Sequence, residues 1–175
     1  MNDDLLLTTQ RLRLEPLLRS HAPLMMVVLG NPQTHLFIPS DPPQDEKALA
    51  EQYARLESRS SPDGLQRWLN WVVFRTGDAI GTVQTTVYPE ASADIAYVFH
   101  PNYWGQGYAS EAVSELLRYL GENLGVRRFT AYTDTRNLAS QRLLERLGFE
   151  REAFVKNADE FKGSKSDEYV YGLEK

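Results

Sequence analysis

The sequence predicts a mixed α/β domain in which helices cover both faces of a central sheet of about seven strands. Three observations predict this fold. Strand and helix patterns follow one another in the order βααβββαβαββ. Three central strand patterns are joined by turns too short for a crossover, which makes them antiparallel. A strand, a helix and a strand then follow between residues 93 and 133, which favours a parallel pair with a right-handed crossover.

The chain begins with a strand and two helices. Residues 11–16 alternate polar and apolar side chains up to a proline, which indicates the first strand. Residues 20–32 carry Ser20 as a candidate N-cap and end in Gly-Asn-Pro, so they predict a short helix. A more polar helix is predicted from Asp45 to Ser58, because its acids come early and its arginines late, as the helix dipole favours.

The centre of the chain is rich in β-branched and aromatic residues. Residues 66–74, 79–88 and 93–100 form three such runs, separated by short turn-forming stretches. They predict three consecutive antiparallel strands.

A helix is predicted directly after Gly107. Apolar residues recur there at spacings of three and four and form one face: Ala109, Ala112, Val113, Leu116, Leu117 and Leu120. Gly121 and Gly125 are the candidate ends of this helix.

The remaining sequence predicts a strand, a helix and two strands. Residues 127–133 form the strand, and residues 137–149 form a helix that Gly148 closes. Residues 151–156 and 167–173 predict the last two strands.

Length and charge limit the class of protein. At 175 residues the chain predicts a single domain over 1–175. It has no apolar run long enough for a membrane helix, and acids occupy its N-terminus where a secretory signal would be basic, so we expect a cytoplasmic protein with no membrane partner. The net charge of −5 argues against nucleic acid as a partner.

The residue types also limit the chemistry. The chain has no cysteine, which excludes a thiolate nucleophile and cysteine-based metal sites. Its three histidines, His21, His35 and His100, are widely spaced in the sequence, so no metal site is expected.

Two glycines, Gly105 and Gly107, lie immediately before the long helix. Backbone N–H groups at the start of a helix lack carbonyl partners, and together with the helix dipole they favour an anion such as a phosphate. No Gly-Lys-Ser/Thr follows, so the turn is not a P-loop, and a third glycine is missing for a dinucleotide fingerprint. A simple tight turn is the alternative.

A second feature is the stretch "NLASQRLLERLGF" at residues 137–149. Together with the glycine turn it resembles the GNAT superfamily of acyl-CoA N-acyltransferases, and the order of elements matches that superfamily across essentially the whole chain. "LTTQRLRLEPL", "YWGQGYASEAV" and "DEYVYGL" look like its RimJ/RimL-type branch, which includes protein N-terminal acetyltransferases.

The resemblance implies acetyl-CoA as the co-substrate. Its diphosphate would lie on the backbone of Gly105, Gln106, Gly107, Tyr108, Ala109 and Ser110. The first position of the motif, which is often Gln or Arg in relatives, is Trp104 here. The backbone edge of Val98, Phe99 and His100 would bind the pantetheine amides. Asn137 would hold the cofactor arm or the splayed strands, a role compatible with a helix N-cap.

The resemblance also implies an acid and a base. Many relatives use a tyrosine as the acid, but Leu144 occupies the matching position. In RimL-like relatives the proposed proton donor is a serine three residues after the asparagine, and the resemblance implies this role for Ser140; a helix-start serine is the alternative. Asp94 matches the glutamate base of relatives and, being shorter, would act through water; a turn residue is the alternative. His100 is a further candidate base.

Structural roles are expected for several other polar and aromatic residues. Glu111 and Glu115 are expected to be acids that the helix dipole favours or that face solvent. Trp68, Trp71 and Tyr97 are expected in the core or in a cleft wall, and one of them could line the acceptor channel.

The expected activity is transfer of acetyl from acetyl-CoA to a primary amine by direct attack in a ternary complex. A protein N-terminal amine is the first candidate acceptor; polyamines, aminoglycosides, amino acids and amino sugars are the others. A non-catalytic acyl-CoA-binding module is the alternative function, because Leu144 and the short Asp94 depart from the pattern of relatives. The sequence does not indicate an oligomeric state, and the acceptor pocket is expected to be shaped by residues 20–64.

Overall fold

The computed structural model describes residues 5–175, which form one eight-stranded sheet and four α-helices. The strands are β1 (Leu7–Thr8), β2 (Arg13–Pro16), β3 (Arg67–Arg75), β4 (Asp78–Tyr88), β5 (Ser92–Phe99), β6 (Arg128–Asp134), β7 (Glu150–Phe161) and β8 (Ser164–Glu174). The helices are α1 (Ala22–Leu29), α2 (Glu46–Leu56), α3 (Tyr108–Leu124) and α4 (Leu138–Arg146). In the described part of the chain, no helix has the length and apolar character to cross a membrane.

The order of strands in the sheet is β1-β2-β3-β4-β5-β6-β8-β7. All neighbours are antiparallel except β5 and β6, which run parallel and are joined through α3. This confirms the predicted antiparallel centre, the crossover and the mixed α/β class. The sheet has one strand more than predicted, because Leu7 and Thr8 pair with β2 in a strand too short to show alternation.

Helices cover both faces of the sheet, as predicted. Alternate side chains of β3 point to opposite faces: Trp71 and Val73 join the core under α3 and α4, whereas Val72 joins the core under α1 and α2. Leu144 of α4 is fully buried in the first of these cores.

The helix ends differ in detail from the predictions. Gly107, with φ 81°, and Gly125, with φ 68°, flank α3 in the left-handed conformation that glycine permits, whereas Gly121 lies inside the helix. Ser20 lies in a single 3₁₀ turn before α1 and does not cap that helix. Asp45 caps α2, because its Oδ1 accepts from Ala48 N at 2.7 Å.

The last two strands form a longer hairpin than predicted. β7 is the edge strand and exposes nearly all of its first eight residues, so its sequence lacks the alternation of a half-buried strand. The hairpin reaches back across the molecule, where Lys162 Nζ donates to the carbonyl of His35.

The parallel strands β5 and β6 separate partway along the sheet. They pair from Ser92 opposite Arg128 to Ile95 opposite Ala131, whereas β4 accompanies β5 as far as Phe99. Among the described residues the pairing of β5 with β6 stops at Ile95. We call the opening beyond this point the split.

Candidate active site

The backbone of β5 is directed into the split at alternate residues. His100 N donates to Ile80 O of β4 at 2.9 Å, so the N–H and C=O groups of Val98 and His100 face β4. By the same alternation those of Tyr97 and Phe99 face the split. Of the three predicted residues, only Phe99 directs its backbone groups into the split, because those of Val98 and His100 are directed towards β4. Tyr97, which was not among them, also directs its backbone groups into the split.

Trp104 covers part of this edge. Its indole Nε1 donates to the carbonyl oxygen of Phe99 at 2.7 Å, although half of the Trp104 side chain is exposed. The Phe99 N–H and both backbone groups of Tyr97 are left directed into the split. An extended ligand with its own amides can pair with them, as a strand would.

The glycine turn presents backbone donors at the start of α3. Gly105 has φ 72° and Gly107 has φ 81°, and a Cβ added at Gly105 would meet nothing within 4 Å. Glu111 N donates to Gly107 O, so the N–H groups of residues 107–110, which include Tyr108, Ala109 and Ser110, precede the first full helical bond. An open turn with N–H donors at a positive helix end fits a diphosphate.

Gln106, between the two glycines of the turn, is held by two hydrogen bonds. The side-chain amide of Gln106 donates to Asn102 O at 2.8 Å, and the backbone carbonyl of Gln106 accepts from Arg11 Nη1 at 3.1 Å. These bonds connect the glycine turn to the residues before it and to the N-terminal part of the chain.

Glu111 is an anchor for the N-terminal strands and does not merely face solvent. It accepts from Arg11 Nε at 2.6 Å, from Arg11 N at 2.9 Å and from Thr9 Oγ1 at 2.5 Å. Burial opposes ionisation, yet the bonds from Thr9 and Arg11 hold the pKa of Glu111 below its usual value. Glu115 pairs with Arg118 of its own helix at 2.6 Å, as a partly exposed acid.

Two arginines lie beside the glycine turn, and sequence reasoning missed both. The guanidinium of Arg11 lies 4.4 Å from the ring centre of Tyr108, and that of Arg75 lies 5.3 Å from the same ring. A Cβ on Gly107 would lie 3.4 Å from Arg11 Nη2. The start of α3 therefore combines helix donors with two guanidinium groups, of which that of Arg11 is already paired with Glu111.

Asn137 and Ser140 begin α4 next to the split. Asn137 Oδ1 accepts from Ser140 N at 3.1 Å, so Asn137 is the N-cap of α4. This bond uses the backbone of Ser140 and leaves its hydroxyl free for another partner. That hydroxyl lies 2.7 Å from the hydroxyl of Tyr97 on β5. The two predicted residues therefore lie together, and a third residue joins them across the split.

Asp134 holds the turn that carries Asn137. It is 5% exposed and accepts from Ser166 Oγ at 2.5 Å and from Arg136 Nε at 2.9 Å, and its carbonyl accepts from Asn137 N. Burial opposes the charge, but the bonds from Arg136 and Ser166 lower the pKa of Asp134 to about 2. Sequence reasoning missed Asp134 because its partner Ser166 lies 32 residues away.

Replacing Asp134 with Asn is expected to destabilise the fold by about 2 kcal/mol at pH 7. Because the folded pKa lies below the unfolded value near 4, the carboxylate stabilises the fold above pH 4 and loses this effect as the pH falls towards 2. Urea unfolding of the wild type and the variant at pH 7 and at lower pH measures both effects. Glu174→Gln, at an exposed ion pair, is the control. Equal stability of wild type and Asp134→Asn at pH 7 would contradict the role of Asp134.

A cavity of about 360 Å³ lies between α2 and the sheet. It is lined by Gln52, Leu56, Trp68, Asn70, Gln84, Thr85, Thr86, Asp94, Ile95, Ala96 and Tyr132. Asp94 is the only acidic side chain in this lining, which contains no basic one, and Asp94 Oδ2 accepts from Tyr88 OH at 2.8 Å. This bond, with burial, raises the pKa of Tyr88 to about 12. The carboxylate of Asp94 is thus held in the cavity wall.

The aromatic residues take three different places. Trp68 lines the cavity, Trp71 is buried in the main core at 1% exposure, and Tyr97 packs at the split. Residues 20–64, which we expected to shape the acceptor pocket, supply only Gln52 and Leu56 to the cavity wall, and strands β3 to β6 supply the rest.

Asp94 and Ser140 lie on different sides of the split. Asp94 faces the cavity under α2, and Ser140 lies on α4, which packs on the other face of the sheet. His100 caps a 3₁₀ turn, because its Nδ1 accepts from Asn102 N at 3.2 Å. Within residues 5–175 no three acidic or histidine side chains are grouped as a metal site would require.

Comparisons with known proteins agree on one family. A model of the acetyltransferase (GNAT) domain matches residues 11–150. The uncharacterized N-acetyltransferase p20 of Bacillus licheniformis is 28% identical over 169 residues, which cover 95% of this chain and 94% of p20.

Solved structures show the same fold. RimL, a ribosomal L7/L12 α-N-protein acetyltransferase solved with coenzyme A, has a TM-score of 0.84 at 20% identity and covers 97% of both chains. An acetyltransferase from Salmonella typhimurium that modifies the N-terminal serine of ribosomal protein L7/L12 has a TM-score of 0.82 at 19% identity, over 95% of this chain and 96% of that chain.

The split, the glycine turn and the matched domain model define the class: this chain belongs to the GNAT acetyltransferase family. It is an acetyl-CoA-dependent N-acetyltransferase, as the sequence predicted.

Proposed function

We propose that the acceptor is the α-amine of a peptide or protein N-terminus. The observation that carries this proposal is the cavity beside the split, which combines one carboxylate, Asp94, with three side-chain amides, Gln52, Asn70 and Gln84. Amide side chains both donate and accept, so they match the backbone of a peptide. At about 360 Å³ the cavity is at the small end of ligand sites and suits the first residues of a chain.

The fold of the RimL structures supports this choice, since those proteins modify protein N-termini. The sequence motifs of the RimJ/RimL-type branch point in the same direction. A polyamine would carry further positive charges into a cavity that offers one carboxylate, which disfavours it as the acceptor.

The donor site follows from the geometry of β5 and α3. The N–H groups of residues 107–110 would hold the diphosphate, with positive charge from Arg11 and Arg75 close by. Tyr97 and Phe99 would bond the pantetheine amides in the split. The thioester would then lie between the cavity and the start of α4.

The base and the proton donor of the proposed reaction lie on different sides of the split. Asp94 accepts the proton of the bound ammonium through water, and the neutral amine nitrogen attacks the thioester carbonyl carbon. The N–C bond forms, the nitrogen loses its second proton to the solvent, the C–S bond breaks, and Ser140 gives its hydroxyl proton to the departing thiolate. The acetyl group passes directly to the amine, because the chain has no cysteine to carry it.

A matched peptide pair tests the acceptor. One peptide begins with a free serine and contains an internal lysine, and its control is the same peptide with an acetylated N-terminus. We expect thiol release from acetyl-CoA with the first peptide alone, and tandem mass spectrometry should locate the acetyl group on the α-amine. The absence of cysteine leaves coenzyme A as the only thiol in the assay.

Two other results would overturn the proposal in different ways. Thiol release with a polyamine or an aminoglycoside, but with neither peptide, would show a small-molecule acceptor. Acetyl-CoA binding without release for any amine would indicate a binding module.

A further inference from the structure

Two hydroxyl groups from different elements meet at the split. The oxygens of Tyr97 on β5 and Ser140 on α4 lie 2.7 Å apart. The Ser140 hydroxyl has no capping role, because the N-cap bond of α4 uses the Ser140 backbone N–H. The pair therefore links β5 to α4 by a side-chain hydrogen bond across the split.

We propose that Tyr97 is a positioning residue for acetyl transfer, whose phenol donates to Ser140 Oγ and turns the Ser140 proton towards the leaving thiolate in the split. This inference rests on the proposed function of the site. It adds a second hydroxyl to the acid side of the reaction.

The relative acidity of the two hydroxyl groups decides which of Tyr97 and Ser140 donates the hydrogen bond. A phenol gives up its proton more readily than an aliphatic alcohol, so Tyr97 is the better donor and Ser140 Oγ the better acceptor. Burial raises the pKa of Tyr97 to about 12, so the phenol keeps its proton at neutral pH. With its oxygen occupied as an acceptor, Ser140 is free to direct its own hydrogen elsewhere.

The surroundings fix this geometry. The ring of Tyr97 packs against the main core, and Asn137 holds the backbone of Ser140. Leu144, one turn further along α4, is fully buried and has no proton to give. Ser140 is thus the proton-bearing side chain that α4 presents to Tyr97.

The protons balance through the pair. As the N–C bond forms and the C–S bond breaks, the thiolate takes the hydroxyl proton of Ser140. Ser140 Oγ takes the phenol proton of Tyr97, and Tyr97 regains a proton from water. The nitrogen releases two protons to the solvent, one from the ammonium through Asp94 and one as the amide forms. The solvent returns one of them to Tyr97, so the protein neither gains nor loses a proton and the reaction releases one.

Tyr97→Phe, Ser140→Ala and the double variant test the role. Tyr97→Phe keeps the ring and is expected to lower kcat about tenfold, with the KM of acetyl-CoA and of the peptide within about twofold of wild type. Because Tyr97 acts through Ser140, adding Tyr97→Phe to Ser140→Ala should cause no further loss. Thermal unfolding with and without acetyl-CoA confirms that each variant folds and binds.

Tyr171→Phe is the matched control. It also removes a buried tyrosine hydroxyl, one that donates to Glu145 at 3.1 Å, and should leave kcat unchanged. An unchanged kcat in Tyr97→Phe would overturn the inference, and so would an equal tenfold loss in the Ser140→Ala background. If the wild type releases no thiol with any amine, the proposed function fails and this inference fails with it; wild-type turnover with an unaffected Tyr97→Phe rejects the inference alone.

Discussion

Replacing Asp94 with Asn is expected to lower kcat by about 100-fold or more, because the variant loses the carboxylate that we propose as the acceptor of the ammonium proton. Asn has nearly the same shape and its side-chain oxygen can still accept from Tyr88 OH, so the cavity wall should keep its structure. The rate of thiol release with the serine peptide measures the effect. Acetyl-CoA should stabilise the variant as it does the wild type, since Asp94 lies in the cavity wall and not at the glycine turn.

A second carboxylate provides the control for this variant. Asp78 is exposed at the start of β4, and Asp78→Asn changes the net charge by the same amount. It should retain full turnover. If Asp94→Asn keeps more than about half of the wild-type kcat, Asp94 is a structural residue of the β4–β5 hairpin and the base lies elsewhere.

Gly107→Glu is expected to abolish stabilisation by acetyl-CoA. The wild type should gain about 5 to 10 °C in Tm at a ligand concentration about 100-fold above Kd. The variant places a carboxylate beside the N–H groups that would hold the diphosphate, and its Cβ would lie 3.4 Å from Arg11 Nη2. Thermal unfolding at increasing acetyl-CoA concentrations measures the shift.

The other end of the same helix offers a matched control. Gly125 follows α3 with φ 68°, close to the 81° of Gly107, and a Cβ there meets nothing within 4 Å. Gly125→Glu therefore imposes a similar backbone strain and should lower Tm without reducing the acetyl-CoA shift. A full shift in Gly107→Glu would show that the diphosphate binds away from this turn.

The sequence predicted those elements that repeat with a helical period or are rich in β-branched and aromatic residues. α2 and α3 came within a few residues of their predicted bounds because each has one buried and one exposed face. The three central strands came equally close because of their composition, although β3 is buried on both faces of the sheet. β1 was missed because two residues show no period, and β7 was too short in the prediction because an edge strand exposed along most of its length has no apolar face.

The site was predictable only where its residues are close together in the sequence. The glycine turn and the Asn137–Ser140 cap are local patterns, and both lie where expected. The Tyr97–Ser140 contact spans 43 residues and the Arg11–Glu111 pair spans 100, so they depend on strand pairing that no local pattern reveals. The cavity proposed for the acceptor likewise combines α2 with four strands.

The split has a consequence for solubility. An unpaired stretch of strand backbone can template the addition of another chain, and proteins protect such edges by keeping them short or covering them. Here the opening extends along β5 only from Ile95 to Phe99, and the Trp104 indole occupies the last carbonyl. The internal sheet edge is therefore short and partly covered, which are the two features that protect such edges against a foreign strand.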